Sequence, residues 1–567
     1  MQRLLFAIFI LSQTFSSSAQ STFINPIIPG GHPDPSICRV ADDYYIVNST
    51  FEYFPGLPIH HSKDLVNWEL IGYGIDRPEQ ASGIINLVDV QQNGGIHAPS
   101  IRYNDGTFYI IVTNVYNGPQ KSTIPLMVNF ILRAKDPAGP WSDPIVVEGA
   151  PGIDPDLFFD DDGKVYFVGT HDIGKPDKDG IGEIWVQELD PKNWQLTGER
   201  ASVWTGACGG CCVEGPHIYK ENGLYYLLVA EGGTSTNHAV MMAASENLRG
   251  PYESNPRNPV FTQRHLSNKN WVHSTGHADL VQLEDGRWYM VSLGIRNDRD
   301  EASNMGRETF LMPMIWEEVI MRWVQVSETK WEPLKYLFPV VAPETGKVER
   351  QTPLPFLDQA QFYNDAFTDN FDAGKLDLEW NFRRVPQPGT YSLNEAPGHL
   401  RLYAKPETFS LLEQYSAIGF RQKESEFVFS AKMSFNPKST EAEAGISFFQ
   451  QDDNYINLTV NKVGSAHQLK LTIKEREKDA EVVKTEALSD YNGNIVFKVI
   501  SKNMQYSYLY SLNGGETFIN FYETADNLII CRGYIGTYFG FYATSNGNDG
   551  KDYADFDWVK YQGFVRK

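Results

Sequence analysis

Cysteine is scarce in this chain: Cys38, Cys208, Cys211, Cys212 and Cys531 are the only five in 567 residues. So few exclude a disulfide-built scaffold, and an odd number in an exported chain leaves at least one thiol free. The cluster Cys208-Gly209-Gly210-Cys211-Cys212 has no second Cys or His pair at zinc-finger spacing. It reads as a packed loop with room for a disulfide rather than as a metal site. Positive charge is also in deficit, with 49 Lys and Arg against 71 Asp and Glu and a net charge of −22. That balance excludes nucleic acid and anionic membrane surfaces as partners and suits a neutral substrate. Long apolar runs are missing too. Residues 4–11 form an apolar stretch far short of the about 20 residues that span a bilayer, and no later segment is long enough. With Arg3 before that stretch and Ser17 and Ala19 at the −3 and −1 positions, residues 1–19 read as a secretory signal peptide. The expected location is therefore periplasmic or extracellular. Finally, roughly the last 200 residues show no helical periodicity.

What the chain does have is a repeat of aromatic hairpins. They read Asp42-Asp43-Tyr44-Tyr45, Asp105-Gly106-Thr107-Phe108-Tyr109, Asp162-Gly163-Lys164-Val165-Tyr166, Asn222-Gly223-Leu224-Tyr225-Tyr226 and Asp285-Gly286-Arg287-Trp288-Tyr289. Their last tyrosines lie 64, 57, 60 and 63 residues apart. Twelve positions before the last four stand His97, Asp154, Glu214 and His277, and eleven before the first stands Asp34. A module of about 60 residues with several short strands is the signature of a propeller blade. The repeat predicts a five-bladed β-propeller over residues 20–338, with one polar side chain per blade aimed at the axis. Motifs such as Ser62-Lys63-Asp64-Leu65…Trp68 and Ala134-Lys135-Asp136…Trp141 are expected to mark each blade's outer strand.

Prolines 339, 343, 353 and 355 punctuate the stretch 339–365, which reads as an interdomain linker. From residue 366 to 567 regularly spaced alternating strands predict a second, all-β unit, a β-sandwich.

Equivalent inner-strand positions of a propeller converge at the mouth of its channel. Asp34, Asp154 and Glu214 would then share one concave site, with His97 and His277 between them. Carboxylates held together raise one another's pKa, so one stays protonated while another is ionised. Glycoside hydrolysis requires that pairing of acid and base. The prolines beside Asp34 and Asp154 restrict the backbone that holds them. Asp156, Asp160 and Asp161 read as turn and surface charges.

The motifs Gly31-His32-Pro33-Asp34-Pro35-Ser36, Ser49-Thr50-Phe51-Glu52-Tyr53, Ile153-Asp154-Pro155-Asp156, Glu214-Gly215-Pro216-His217, Gly276-His277-Ala278-Asp279 and Gly306-Arg307-Glu308-Thr309-Phe310 resemble glycoside hydrolase family 43. The resemblance covers nearly the whole mature chain. Its C-terminal half looks like the concanavalin-like jelly roll of the β-xylosidase-type members. The resemblance implies an exo-acting, inverting β-xylosidase or α-L-arabinofuranosidase that acts on plant cell-wall glycans. It makes Asp34 the general base, Glu214 the general acid and Asp154 the carboxylate that orients the acid. Arg307 and Phe51 would hold and wall the terminal sugar, and Tyr538 would reach over the mouth from the sandwich. His277 would sit beside a water or a calcium ion. A structural calcium at His277, or in the sandwich around Asp555 and Asp557, is compatible with this pattern. One departure stands out: His97, in Ile96-His97-Ala98-Pro99, replaces a tryptophan common among xylosidase-type members. It marks a candidate specificity position. The rival readings are an endo-arabinanase, a non-catalytic carbohydrate-binding propeller and a retaining fructosidase.

Overall fold

The Asp-Gly and Asn-Gly dipeptides form the tight turns expected of them. Asp105 (φ 45°) and Gly106 (φ 70°) link paired strands, as do Asn222 (φ 52°) and Gly223 (φ 80°). Two successive left-handed residues make the type I′ turn whose twist matches a β-hairpin. The computed structural model describes residues 21–117, 126–172, 182–207, 211–356, 359–409, 412–526, 528–530 and 533–565. Residues 1–19, Cys208 and Cys531 lie outside these. Among the described residues there is no α-helix, and no helix long and apolar enough to cross a membrane.

Each hairpin joins the inner two strands of an antiparallel blade. The inner strands are Ser36–Val40, Gly95–Asn104, Ile153–Phe159, Glu214–Glu221 and Val272–Gln282. They touch one another in sequence order, and the fifth returns to the first, which closes the ring. Strand alternation supplies a core between every pair of blades. In the fourth blade Leu227 and Val229 pack toward the third, against Val168 and Val186. Tyr226 and Leu228 face the fifth, against Met290 and Phe310. This is the period-2 pattern of a strand buried on both faces. The Ser62–Trp68 motif marks the turn into the outer strand rather than the strand itself. Asp64 accepts the amides of Val66 and Asn67, and the Trp68 indole donates to Leu65 O at 2.8 Å.

The outer strand of the fifth blade runs Lys330–Val341. In the proline-rich stretch beyond it, Gln351–Pro353 pairs with Thr22–Ile24. The second unit supplies eight strands to one sheet and seven to another around one apolar core. Its strand Phe427–Phe435 buries every second residue, Phe427, Phe429, Ala431, Met433 and Phe435. One edge of a sandwich sheet is completed by the propeller: Tyr53–Phe54 pairs with Asn381–Arg383. Gly536 of the sandwich abuts Gly306, where a Cβ would lie 2.6 Å from its amide nitrogen. The two units therefore meet beside Arg307.

Candidate active site

The inner strands do not reach the site as regular strands. Asp34, Ala98, Asp154, Gly215 and His277 all have φ between 41° and 58°, and the pairing register of four inner strands slips around these positions. Bulges re-aim side chains next to active sites, and non-glycine residues held left-handed mark backbone under constraint. Four blades thus break their inner strand at the polar residue that turns toward the channel, and the first places Asp34 just before its inner strand begins.

Asp34 is buried and doubly held. Ser49 donates to one carboxylate oxygen at 2.6 Å and Arg307 Nη1 to the other at 2.8 Å. The same Ser49 hydroxyl accepts the amide of Ala98 at 2.7 Å. Burial pushes the Asp34 carboxyl up, but Arg307, His277, Ser49 and His97 outweigh it, so its pKa lies below the ordinary value. Glu214 has no such cation in contact. Burial, then repulsion from Asp34, pushes it up to about 7 despite Arg307. Asp154, raised by burial and by both other carboxylates, accepts the Gly215 amide at 3.0 Å. His277 lies behind the pair, its Nδ1 4.0 Å from Asp154. Burial lowers it to about 4.

Aromatic rings wall one side. Phe51 meets His97 edge-on, with centroids 4.7 Å apart, and Tyr534 at 5.5 Å. The Arg307 guanidinium lies over both Phe51 and Tyr534, and its Nε donates to Tyr534 O at 2.9 Å. His97 is fixed by a 2.9 Å contact from Nε2 to Asn93 O. Tyr538 is not part of this wall. It is fully buried between the domains and stacked on Tyr53 at 3.9 Å. The residue that the sandwich brings to the mouth is Tyr534, four positions earlier.

The expectation for Asp156 also needs correction. It is fully buried and accepts Arg102 at 2.7 Å, with His217 Nδ1 at 2.9 Å. Arg102 also reaches Asp279, which in turn accepts Ser36 and Tyr219. These six side chains come from all five blades and tie the channel together below the carboxylates. Ser36, Asp156 and Asp279 each stand two positions after Asp34, Asp154 and His277, the same-face spacing of a strand. That offset was the available signal; Tyr534 carried none. Asp160 is likewise engaged, by Lys220 and Tyr225.

In the sandwich, the carboxylates expected to hold calcium are already paired with cations. Asp555 is bound by Arg401 and Asp557 by Lys432. Among the described residues no three His, Cys, Asp or Glu side chains gather as a metal cage would, at His277 or elsewhere.

A propeller with three carboxylates and an Arg-aromatic wall narrows the family, and comparison decides it. The model of glycosyl hydrolases family 43 matches residues 23–319, and that of the beta xylosidase C-terminal concanavalin A-like domain matches 368–562. The chain belongs to glycosyl hydrolase family 43. This family 43 enzyme is 37% identical to a non-reducing end alpha-L-arabinofuranosidase of Bacteroides ovatus, over 99% of this chain and 98% of the relative. It is 38% identical to a xylosidase/arabinosidase of Butyrivibrio fibrisolvens, over 94% and 98%. Its fold matches the crystal structure of a xylan beta-1,4-xylosidase from Bacillus halodurans with a TM-score of 0.84 at 30% identity, covering 95% of this chain and all of that one.

Proposed function

We propose that this glycoside hydrolase removes one terminal pentose, L-arabinofuranose or D-xylopyranose, from plant cell-wall polysaccharides or their oligosaccharides, with inversion. The observation that carries the reading is the opposed titration of two carboxyls in one buried cluster. Asp34 is held ionised by Arg307 and Ser49, while Glu214 keeps its proton up to about pH 7. The names of the relatives, which include both sugars, support the substrate class.

The reaction follows from these states. Asp34 takes a proton from a water whose oxygen attacks the anomeric carbon. Glu214 gives its proton to the glycosidic oxygen as the carbon–oxygen bond breaks. Asp154 holds the backbone beside the acid by accepting the Gly215 amide, while repulsion from Asp34 keeps Glu214 from ionising early. Arg307 anchors hydroxyls of the terminal sugar, with Phe51, His97 and Tyr534 against its faces. The non-reducing end activity named for a relative supports exo action. The neutral glycan substrate accords with the net charge of −22, and the apolar N-terminal stretch with export.

The test is a panel of nitrophenyl α-L-arabinofuranoside, nitrophenyl β-xyloside and arabinan oligomers, with NMR of the first-formed anomer. Release of single pentoses with inversion is expected. Retention, or internal cleavage of the oligomers, would overturn the proposal.

A further inference from the structure

Two cysteines that the reaction does not use precede the Glu214 strand. Cys211 is exposed and Cys212 half-buried, and their sulfurs lie 2.9 Å apart. That is closer than ordinary van der Waals contact and part-way to the about 2.05 Å of a disulfide bond. Cys212 has a φ of 62°, a left-handed conformation uncommon outside glycine. The segment is pinned against the site. Gly232 N donates to Cys211 O at 2.9 Å, and a Cβ on Gly233 would lie 3.4 Å from Cys212 Sγ. The next residue, Thr234, accepts from Arg307 Nη1 at 3.3 Å. Val213, between Cys212 and Glu214, is held through its carbonyl by Thr170.

We propose that Cys211 and Cys212 form a vicinal disulfide, and that its small rigid ring is an apolar plate beside the leaving group. The location rests on Glu214 as the acid, because the acid must stand next to the glycosidic oxygen it protonates. The two thiols lose two protons and two electrons. A disulfide oxidant takes them by thiol–disulfide exchange and leaves as two thiols, as an oxidising compartment provides. Adjacent Cα atoms are about 3.8 Å apart, shorter than the usual disulfide span, so the bond is strained and readily reduced. An apolar ring face offers a sugar a contact that two separate thiols do not.

Pairing is read first, without reference to activity. The full-length protein, purified without reductant, is denatured in an alkylating agent, digested and weighed. The peptide carrying both cysteines is expected unalkylated and two hydrogen masses light, becoming alkylated only after reduction. Alkylation of both without reductant, or linkage of either to Cys38, Cys208 or Cys531, would overturn the pairing. The plate is read by kinetics of oxidised and reduced enzyme. Reduction should raise KM for an oligosaccharide by about threefold to tenfold and leave a glycosyl fluoride, with its minimal leaving group, unchanged. Equal KM values in the two states would overturn the plate. An intact disulfide in a protein without glycosidase activity would instead fault the proposed function.

Discussion

Asp34 and Glu214 share one buried site and titrate in opposite directions because a single cation is shared unequally. Arg307 touches Asp34 at 2.8 Å but makes no hydrogen bond to Glu214. The proposed mechanism requires Asp34 without its proton and Glu214 with one. On rising pH, kcat/KM should therefore climb as Asp34 ionises, below the ordinary carboxylate range, and fall as Glu214 ionises near pH 7. A pH–rate profile checks this, and in Glu214→Gln the alkaline limb should vanish. That variant should lose about 100- to 10,000-fold on oligosaccharides, and much less on nitrophenyl glycosides, whose leaving group needs little protonation. Equal losses on both substrates would show that Glu214 is not the acid. At this scale the carboxylates were readable because each sits at a fixed offset from a hairpin. Tyr538 was misplaced because nothing in Gly533-Tyr534-Ile535-Gly536-Thr537-Tyr538 says which tyrosine the loop turns toward the mouth and which it buries.

At the scale of elements, the same glycine chemistry serves two purposes. Gly223 and Gly215 both have positive φ, 80° and 58°. Gly223 closes a surface hairpin, and a Cβ there would meet nothing within 4 Å. Gly215 bulges the strand after Glu214, and a Cβ there would lie 3.0 Å from the His277 ring. Gly223→Ala should therefore cost only the backbone term, about 1 kcal/mol of stability, with kcat unchanged. Gly215→Ala should displace Glu214 and His277 and lower kcat on the order of 100-fold, with folding checked by circular dichroism. Equal kcat in the two variants would contradict a site built on bulges. The hairpins were legible because a glycine after Asp or Asn marks a turn, here with the glycine left-handed in all four Asp-Gly and Asn-Gly hairpins. The bulges were not, since a dipeptide such as Asp154-Pro155 looks the same in a turn and in a broken strand. For the same reason Asp156 looked like turn punctuation while it was in fact holding Arg102.

The two folding units were visible as separate composition patterns, but their dependence on each other was not. Sequence periodicity reports which face of a strand is buried, and says nothing about which distant strand covers its edge. Here Tyr53–Phe54 completes a sandwich sheet, and buried charges cross the same boundary. Arg383 contacts Glu52 at 2.7 Å and Asp452 at 2.8 Å, and Arg384 contacts Asp452 at 2.7 Å. On the other side of the seam, Arg296 joins Glu308, the neighbour of Arg307, to Glu424 of the sandwich. An ion pair this deeply buried contributes little compared with an apolar replacement, but removing one partner leaves a charge without compensation. Asp452→Asn should thus destabilise the enzyme by about 3 to 5 kcal/mol, measurable by denaturant unfolding. Burial acts to raise the Asp452 carboxyl, but Arg383 and Arg384 overcome it and hold the folded pKa well below the ordinary value. A depressed folded pKa stabilises the enzyme fully above the unfolded pKa of about 3.9, and that stability is lost as pH falls toward the folded value. The difference between wild type and Asp452→Asn should accordingly shrink in acid. Because Phe51 and Glu52 lie two residues and one residue before the shared strand, loosening this seam also loosens the sugar wall, so propeller and sandwich should melt in a single calorimetric transition that coincides with loss of activity. Two separated transitions, with activity lost only in the second, would mean that the sandwich is an appendage rather than part of the site.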